Sequence, residues 1–297
     1  MHKTLESRRQ AYSLIRTSLF AAFKRHRPFS LLRIGDGESV ILAHNSSSPQ
    51  IDLEAHLNLW FGKCLPSANQ LLRLQQRLKL ACRTSTILGI PTLRQCGLNP
   101  RYLTSYNSLV SLLSGRRRVL LTDAAIHRFL HLSGDLLALL RGSPYLGVVT
   151  SKPIANEVLR FFRPSQLFVQ TVPPESPLLH QEITEHSRSW YDHSGKPLMI
   201  SIKPPYRGAP YLVGAGLMGK LICDQIRSAG GFAIDIGSLC DGWSSVPSRS
   251  YFDNYPPGFY SLEHAYKLSL LSDQTRMEKF LSYIQLYEAA PKSFCLS

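Results

Sequence analysis

Apolar side chains recur at helical spacing from the start of the chain. Leu5, Tyr12, Ile15, Leu19, Phe20 and Phe23 predict a helix over 4–25, which Pro28 stops. The run Phe29-Ser30-Leu31-Leu32-Arg33-Ile34 reads as a short buried strand, so the Asp36-Gly37-Glu38 turn falls at a strand's carboxyl end. Helices are predicted near 52–62 and 67–82, before an apolar strand over 85–90 that ends at Pro91. Beyond it the rhythm is regular: strand 118–122, helix from Ala124, strand 145–149, helix 153–162, strand 166–169. A helix near 177–191 leads to an expected strand over 197–202, and a Pro/Gly-rich loop at 204–210 precedes a strand at 211–213. A glycine turn, a helix over 217–229 and a strand over 232–236 follow. Residues 237–259 are loop-rich, and helices at 261–270 and 273–289 close the chain.

This alternation predicts an α/β fold of Rossmann-like, doubly wound type, a mostly parallel sheet with helices on both faces. No linker-like shift, repeat or low-complexity tract interrupts it. Residues 1–297 therefore read as a single elaborated domain, with an N-terminal helix over 1–27 and C-terminal helices over 260–297 packing on the core. A hydrophobic content of 44% suffices for an ordinary core and makes disorder the wrong default. No stretch approaches the roughly 18 apolar residues of a membrane span, and the first residues lead into a mixed helix instead of an apolar signal core. The expected location is cytoplasmic, with a peripheral place at the inner face of the membrane. Cys64, Cys82, Cys96, Cys223, Cys240 and Cys295 lack Cys-x-x-Cys spacing and predict reduced thiols, not a zinc knuckle or a disulfide framework.

The formal charge of +14 changes the picture most, because it favours an acidic partner: nucleotide phosphates, an anionic membrane or nucleic acid. The basic residues are dispersed, as in Arg8-Arg9, Lys24-Arg25-His26-Arg27 and Arg116-Arg117-Arg118, and no nucleic-acid-binding motif accompanies them, so no specific nucleic acid is expected.

Two loops carry candidate chemistry. Gly214-x-Gly216-x-x-Gly219 follows an apolar strand and opens a helix, and Asp235 ends the next strand, so a dinucleotide fingerprint is formally met. Any pyrophosphate suits that geometry, since small residues let backbone N–H groups at a helix start approach a phosphate. Lys220 would add a full positive charge there. In the other loop Asp36 and Glu38 flank Gly37, with Gly35 before them, and two hard oxygen ligands suit Mn²⁺ or Mg²⁺ bridging a diphosphate. Arg33 can add charge-assisted contacts to the same phosphates.

Ser151-Lys152, after a strand, suggests a helix cap and a phosphate contact, and Asp123 is a candidate general base or a cap for the helix behind it. Asp241 and Glu175 are further base candidates. His127 and His131 have i,i+4 spacing but no evident third ligand, which predicts a partly exposed helix face. Trp243, Tyr251, Phe252, Tyr255 and Tyr260 crowd one segment, where they either stack on a base or sugar or pack a long loop.

Together the loops resemble the GT-D-type glycosyltransferases of bacteria. Phe29-Ser30-Leu31-Leu32-Arg33-Ile34-Gly35-Asp36-Gly37-Glu38 is similar to their N-terminal R-[IF]-G-D-G-E signature, whose D-x-E acids form the divalent-metal motif. Tyr211-Leu212-Val213-Gly214-Ala215-Gly216-Leu217-Met218-Gly219-Lys220, continued through Asp235-Ile236-Gly237-Ser238 to Asp241-Gly242-Trp243, is similar to their C-terminal block. The resemblance implies a Mn²⁺- or Mg²⁺-dependent transferase that uses a nucleoside-diphosphate sugar, UDP-linked by expectation. The acceptor would be a glycan, lipid-linked or protein-linked, in surface polysaccharide or glycoprotein synthesis. It carries over Asp36 and Glu38 as the metal motif and Gly214, Gly216 and Asp235 as crevice positions. Some members have His where Ser238 stands, and the middle of the chain matches only in rhythm. Two other classes stay open: a nicotinamide-dependent oxidoreductase built on the glycine loop, and a non-catalytic binder of nucleic acid or anionic membrane.

Overall fold

The computed structural model describes residues 5–43, 53–62, 64–98, 100–114, 119–174, 190–191, 196–198, 200–244 and 255–289. Among them one seven-stranded sheet forms from β1 (Phe29–Arg33), β2 (Ile87–Ile90), β3 (Leu120–Asp123), β4 (Tyr145–Thr150), β5 (Gln166–Thr171), β6 (Pro210–Gly214) and β7 (Phe232–Asp235). The spatial order is β3-β2-β1-β7-β6-β4-β5, and every pairing is parallel. Leu31 of β1, for example, lies between Ile87 of β2 and Ile234 of β7.

The helices are α1 (Leu5–Lys24), α2 (Asp36–Leu42), α3 (Leu53–Phe61), α4 (Ala68–Thr84), α5 (Leu93–Leu98), α6 (Pro100–Leu113) and α7 (Ile126–Leu132). They continue with α8 (Asp135–Leu140), α9 (Ala155–Phe162), α10 (Gly216–Ser228), α11 (Leu239–Ser244), α12 (Leu262–Ser269) and α13 (Asp273–Ala289). None is long and apolar enough to cross a membrane among the described residues.

Strand side chains point to alternate faces, and the core divides accordingly. Phe29, Leu31, Leu146, Val148, Leu212, Phe232 and Ile234 join one cluster with α1, α7, α8, α9, α11, α12 and α13. Leu32, Tyr145, Val149, Tyr211, Val213 and Ala233 join the other, under α2, α3, α4, α6 and α10. This two-sided burial is what makes the strands read as near-continuous apolar runs. It also directs the exits from the sheet. The helices after β1 and β6 cover the second face, whereas those after β7 and β4 cover the first. Adjacent strands thus send their chains to opposite sides, which opens a crevice along the carboxyl edge over β1, β7, β6 and β4.

Several elements differ from expectation. Asp36-Gly37-Glu38 is the first turn of α2 and not a free turn. Among the described residues of the expected strand at 197–202 no strand forms: Pro197 makes one isolated antiparallel bridge to Tyr191, and Ile200 and Ile202 pack on the second core cluster. Ile200 and Ile202 turn inward, whereas Leu198 is exposed. The helix beginning near Ala124 is broken into α7 and α8 by Gly134, whose φ of +73° is left-handed. α5, α6 and α11 were not anticipated. The expected helix over 177–191 falls almost wholly outside the described residues.

Candidate active site

Three loops meet at the carboxyl edge because β1, β7 and β6 are neighbours. Their side chains interlock around one cation. Lys220 lies in the first turns of α10, is 2% exposed, and its side chain runs back toward the helix start. Its ammonium lies 2.7 Å from Glu38 Oε1 and 3.1 Å from Asp235 Oδ2, and it donates to the Gly216 carbonyl at 3.0 Å. An ammonium has three protons, and three acceptors surround this one. Lys220 therefore pins α2, β7 and α10 together from a buried position, with Asp235 Oδ2 held by charge and not by a hydrogen bond.

Both carboxylate partners also accept from backbone N–H groups. Glu38, 8% exposed, accepts from the Gly35 N–H through Oε2 at 2.9 Å, the reach-back of a capping box at the start of α2. Burial alone would raise its carboxyl, but Lys220, the Gly35 N–H and Arg33 override it and hold the group down at about 2. Burial likewise opposes the charge on Lys220, and Asp235 and Glu38 outweigh it, so the ammonium is held above its usual range. Asp235, 1% exposed, accepts from the Gly237 N–H through Oδ1 at 3.0 Å. It faces into this network, and its Oδ2 is left without a hydrogen-bond partner.

Glu38 consequently does not fit a metal ligand as it stands, since both of its oxygens already face donors. The side chain of Asp36, its companion in the D-x-E triplet, lies outside the described ones. Among the described residues no group of three or more His, Cys, Asp or Glu side chains comes together to hold a metal ion.

The glycines have distinguishable reasons. A Cβ on Gly214 would strike Cys240 Sγ and stand 3.0 Å from the Gly237 carbonyl, so this residue is small to let α11 close over β6. Gly216 has φ +51°, and Gly219 sits on Val213 and Ala215 at van der Waals distance. Gly37 packs under Trp60, 2.6 Å from where its Cβ would be. Gly35 is half-buried, with Glu38 as its close neighbour.

Two cations at the edge keep donors to offer. Arg33 donates from Nη1 to the Ala124 carbonyl at 3.1 Å, and its Nε stands 3.8 Å from Asp235 Oδ2 without a hydrogen bond. Its guanidinium lies across Gly237, where any side chain would collide with it. Lys152, two residues past β4, is 22% exposed at the side chain and pairs at 3.2 Å with Asp241 of α11. Ser151 beside it is half-buried but caps nothing: Ile154 holds the cap position of α9, with no side-chain bond. Asp123 ends β3 and accepts from the Ala125 N–H at 2.7 Å, capping the turn into α7. Glu175, Tyr251 and Phe252 lie outside the described residues.

Behind the crevice, burial overturns one expectation. His127 and His131 are 2% and 1% exposed, not on a partly exposed face, and neither ring nitrogen of either has a hydrogen-bond partner. Desolvation, with Arg33, Arg128, Lys220 and His131 nearby, pushes His127 well below the usual histidine range. Desolvation and His264 push His131 down to about 3. Trp243 and Tyr260 flank the His131 ring and are themselves core residues.

Comparison with known proteins adds one finding. Residues 11–174 match the GT-D-like family, described as a GT-D fold-like domain. The match includes β1 and the Gly35–Glu38 segment, while the glycine turn and β7 lie beyond it. No curated protein and no solved structure matches the chain.

Proposed function

This chain belongs to the GT-D-like family, a glycosyltransferase-related fold, and on that footing we propose that it transfers a sugar from a nucleoside-diphosphate donor, UDP-linked by first choice. The acceptor is a glycan or glycoconjugate, lipid-linked or protein-linked, of bacterial surface polysaccharide or glycoprotein synthesis. The observation that carries the proposal is the joining of the two signature blocks at one sheet edge through the Lys220–Glu38 ion pair. A diphosphate lying there meets Arg33 and Lys152 and the N–H groups at the start of α10, and charge developing on the leaving group is neutralised by those fixed donors. Asp123, across Arg33 from β7, takes the acceptor proton.

A divalent ion, Mn²⁺ or Mg²⁺, supplies further neutralisation of the diphosphate when bound. Asp36 is then the acid left to hold it. The nicotinamide alternative is the weaker reading, because Asp235 is 1% exposed and its charge is turned toward Lys220. Cytoplasmic placement and a peripheral contact with anionic membrane remain part of the proposal, since a lipid-linked acceptor would need them.

The test is nucleoside-diphosphate release from a panel of nucleotide sugars, with and without Mn²⁺. Release from at least one donor is expected, with loss in Asp36→Ala and a drop of about 100-fold in Arg33→Ala, the usual consequence of removing one transition-state donor. No release from any donor, alongside saturable NAD binding, would contradict it.

A further inference from the structure

We infer that a cavity at the opposite end of the sheet is a second ligand site, one that takes a phosphate-bearing ligand. All strands of a parallel sheet begin at one edge, so the segments leading into β4 and β5 lie away from the crevice. There a cavity of about 560 Å³ opens, lined by the guanidinium-bearing Arg141, Arg163 and Arg276 with Gly142, Ser269 and Leu270.

The charges at this cavity do not cancel. Arg276, 7% exposed, pairs with Asp273 and with Asp135 at 3.6 Å, and Arg16 pairs with the same two acids at 3.0 and 2.9 Å. Two arginines and two aspartates make that group neutral. Arg141 and Arg163 remain, and neither has an acidic partner among the described residues. Arg141 is held in place by Tyr266, with its guanidinium carbon 4.7 Å from the ring centroid and a long contact of 3.5 Å to the hydroxyl. The Nε atoms of Arg141 and Arg276 are both buried without a hydrogen-bond partner.

The ordinary explanation is that arginines at helix ends serve the open carbonyls and the negative end of the dipole. Arg141 and Arg163 do follow α8 and α9, and Arg163 is held at φ +51° to do so. Yet among the described residues none of the three guanidiniums donates to a helix-end carbonyl. All three line the one cavity instead, and Arg141 and Arg163 bring to it two charges that no acid among the described residues neutralises. Planar guanidiniums from different elements around one space match a phosphate group. The volume exceeds that of a bare phosphate, and Leu270 and Ala138 offer apolar lining to an organic substituent. Such a phosphate can belong to a soluble phosphomonoester or to a lipid headgroup. The site does not depend on the glycosyltransferase proposal, since it shares no residue with the crevice.

Arginine-selective labelling with phenylglyoxal, mapped by peptide mass spectrometry on the full chain, reads the site directly. Inorganic phosphate should slow labelling of Arg141 and Arg163 but not of the neighbouring Arg160, which lies outside the cavity lining. Arg163→Gly suits the left-handed backbone and should fold at least as well as the parent. It should weaken phosphate protection of Arg141 about tenfold, the loss of one charge-assisted bond. Equal labelling of Arg141 and Arg163 with and without phosphate, or unchanged protection in Arg163→Gly, would overturn the site. Vesicles of phosphatidic acid against phosphatidylcholine distinguish the source. Flotation that is lost in Arg163→Gly supports a headgroup, and protection by inorganic phosphate without flotation supports a soluble ligand.

Discussion

At the scale of single residues the crevice is held by charge, and its members are unequal. Lys220→Met would leave buried Glu38 without its ion-pair partner and Asp235 with only Arg33 at 3.8 Å, and should cost about 3–5 kcal/mol in denaturant unfolding. Glu38→Gln should cost less, because Asp235 and Gly216 still hold the ammonium. A double variant that costs the sum of the two single ones would show that the ion pair is not coupled. The same network has an acid signature. The folded carboxyl of Glu38 lies near 2 against about 4.5 when unfolded, so its contribution, on the order of 3 kcal/mol, is present above pH 4.5 and lost as the pH falls toward 2. Glu38→Gln should therefore flatten stability against pH across that interval, and an unchanged slope would place the shift elsewhere.

These roles were only half legible in the sequence. Arg-Ile-Gly-Asp-Gly-Glu marks a site, but Glu three residues after Gly35 is equally the spacing of a capping box, which periodicity through Leu42 would have favoured. Nothing local announces that Lys220 reaches Glu38 across 182 positions of chain, since that contact exists only once β6 and β7 stand beside β1.

At the scale of elements, apolar runs and their alternation with helices identified β1 to β7, because the central strands β1, β7, β6 and β4 are covered on both faces, while the edge strands β3 and β5 keep short apolar runs. Three helices escaped, among them the fourteen-residue α6 directly behind α5. α5 has six residues, too few to show a period, and α11 lies in a loop-rich stretch. The segment at 197–202 misled for the opposite reason, being apolar without a strand to pair with. α7 illustrates how packing decides what pattern cannot: its two histidines look like a polar stripe, yet α13, Trp243 and Tyr260 close over that side. His131 is neutral when folded, with a pKa about 3 against 6.5 unfolded, so the protein loses stability as the pH falls below 6.5 toward 3. His131→Phe keeps the ring stack and removes two unpartnered nitrogens. It should unfold within about 1 kcal/mol of the parent at pH 7 and be more stable than it by up to about 2.7 kcal/mol at pH 4.5, since two pH units below 6.5 are worth that much per proton. A relative gain that does not grow with acidity would show that His131 is not the titrating group.

At the scale of the whole molecule, the parallel order β3-β2-β1-β7-β6-β4-β5 brings residues from opposite ends of the sequence to one edge. Strand and helix rhythm implied a doubly wound sheet, but not which strands would be central, and the glycine turn alone pointed toward a dinucleotide. The net charge of +14 is not concentrated in the crevice network, where Arg33 and Lys220 face Glu38 and Asp235. An unbalanced pair of arginines lies instead at the far edge, which is why charge by itself could not locate the site.

The most direct test is a thermal-shift panel of nucleoside diphosphates and NAD, each with and without Mn²⁺, on the parent and Asp36→Ala. A donor crevice of the proposed kind predicts stabilisation by UDP or another nucleoside diphosphate that requires Mn²⁺ and disappears in Asp36→Ala. Stabilisation by NAD alone, indifferent to Mn²⁺ and to Asp36, would contradict it.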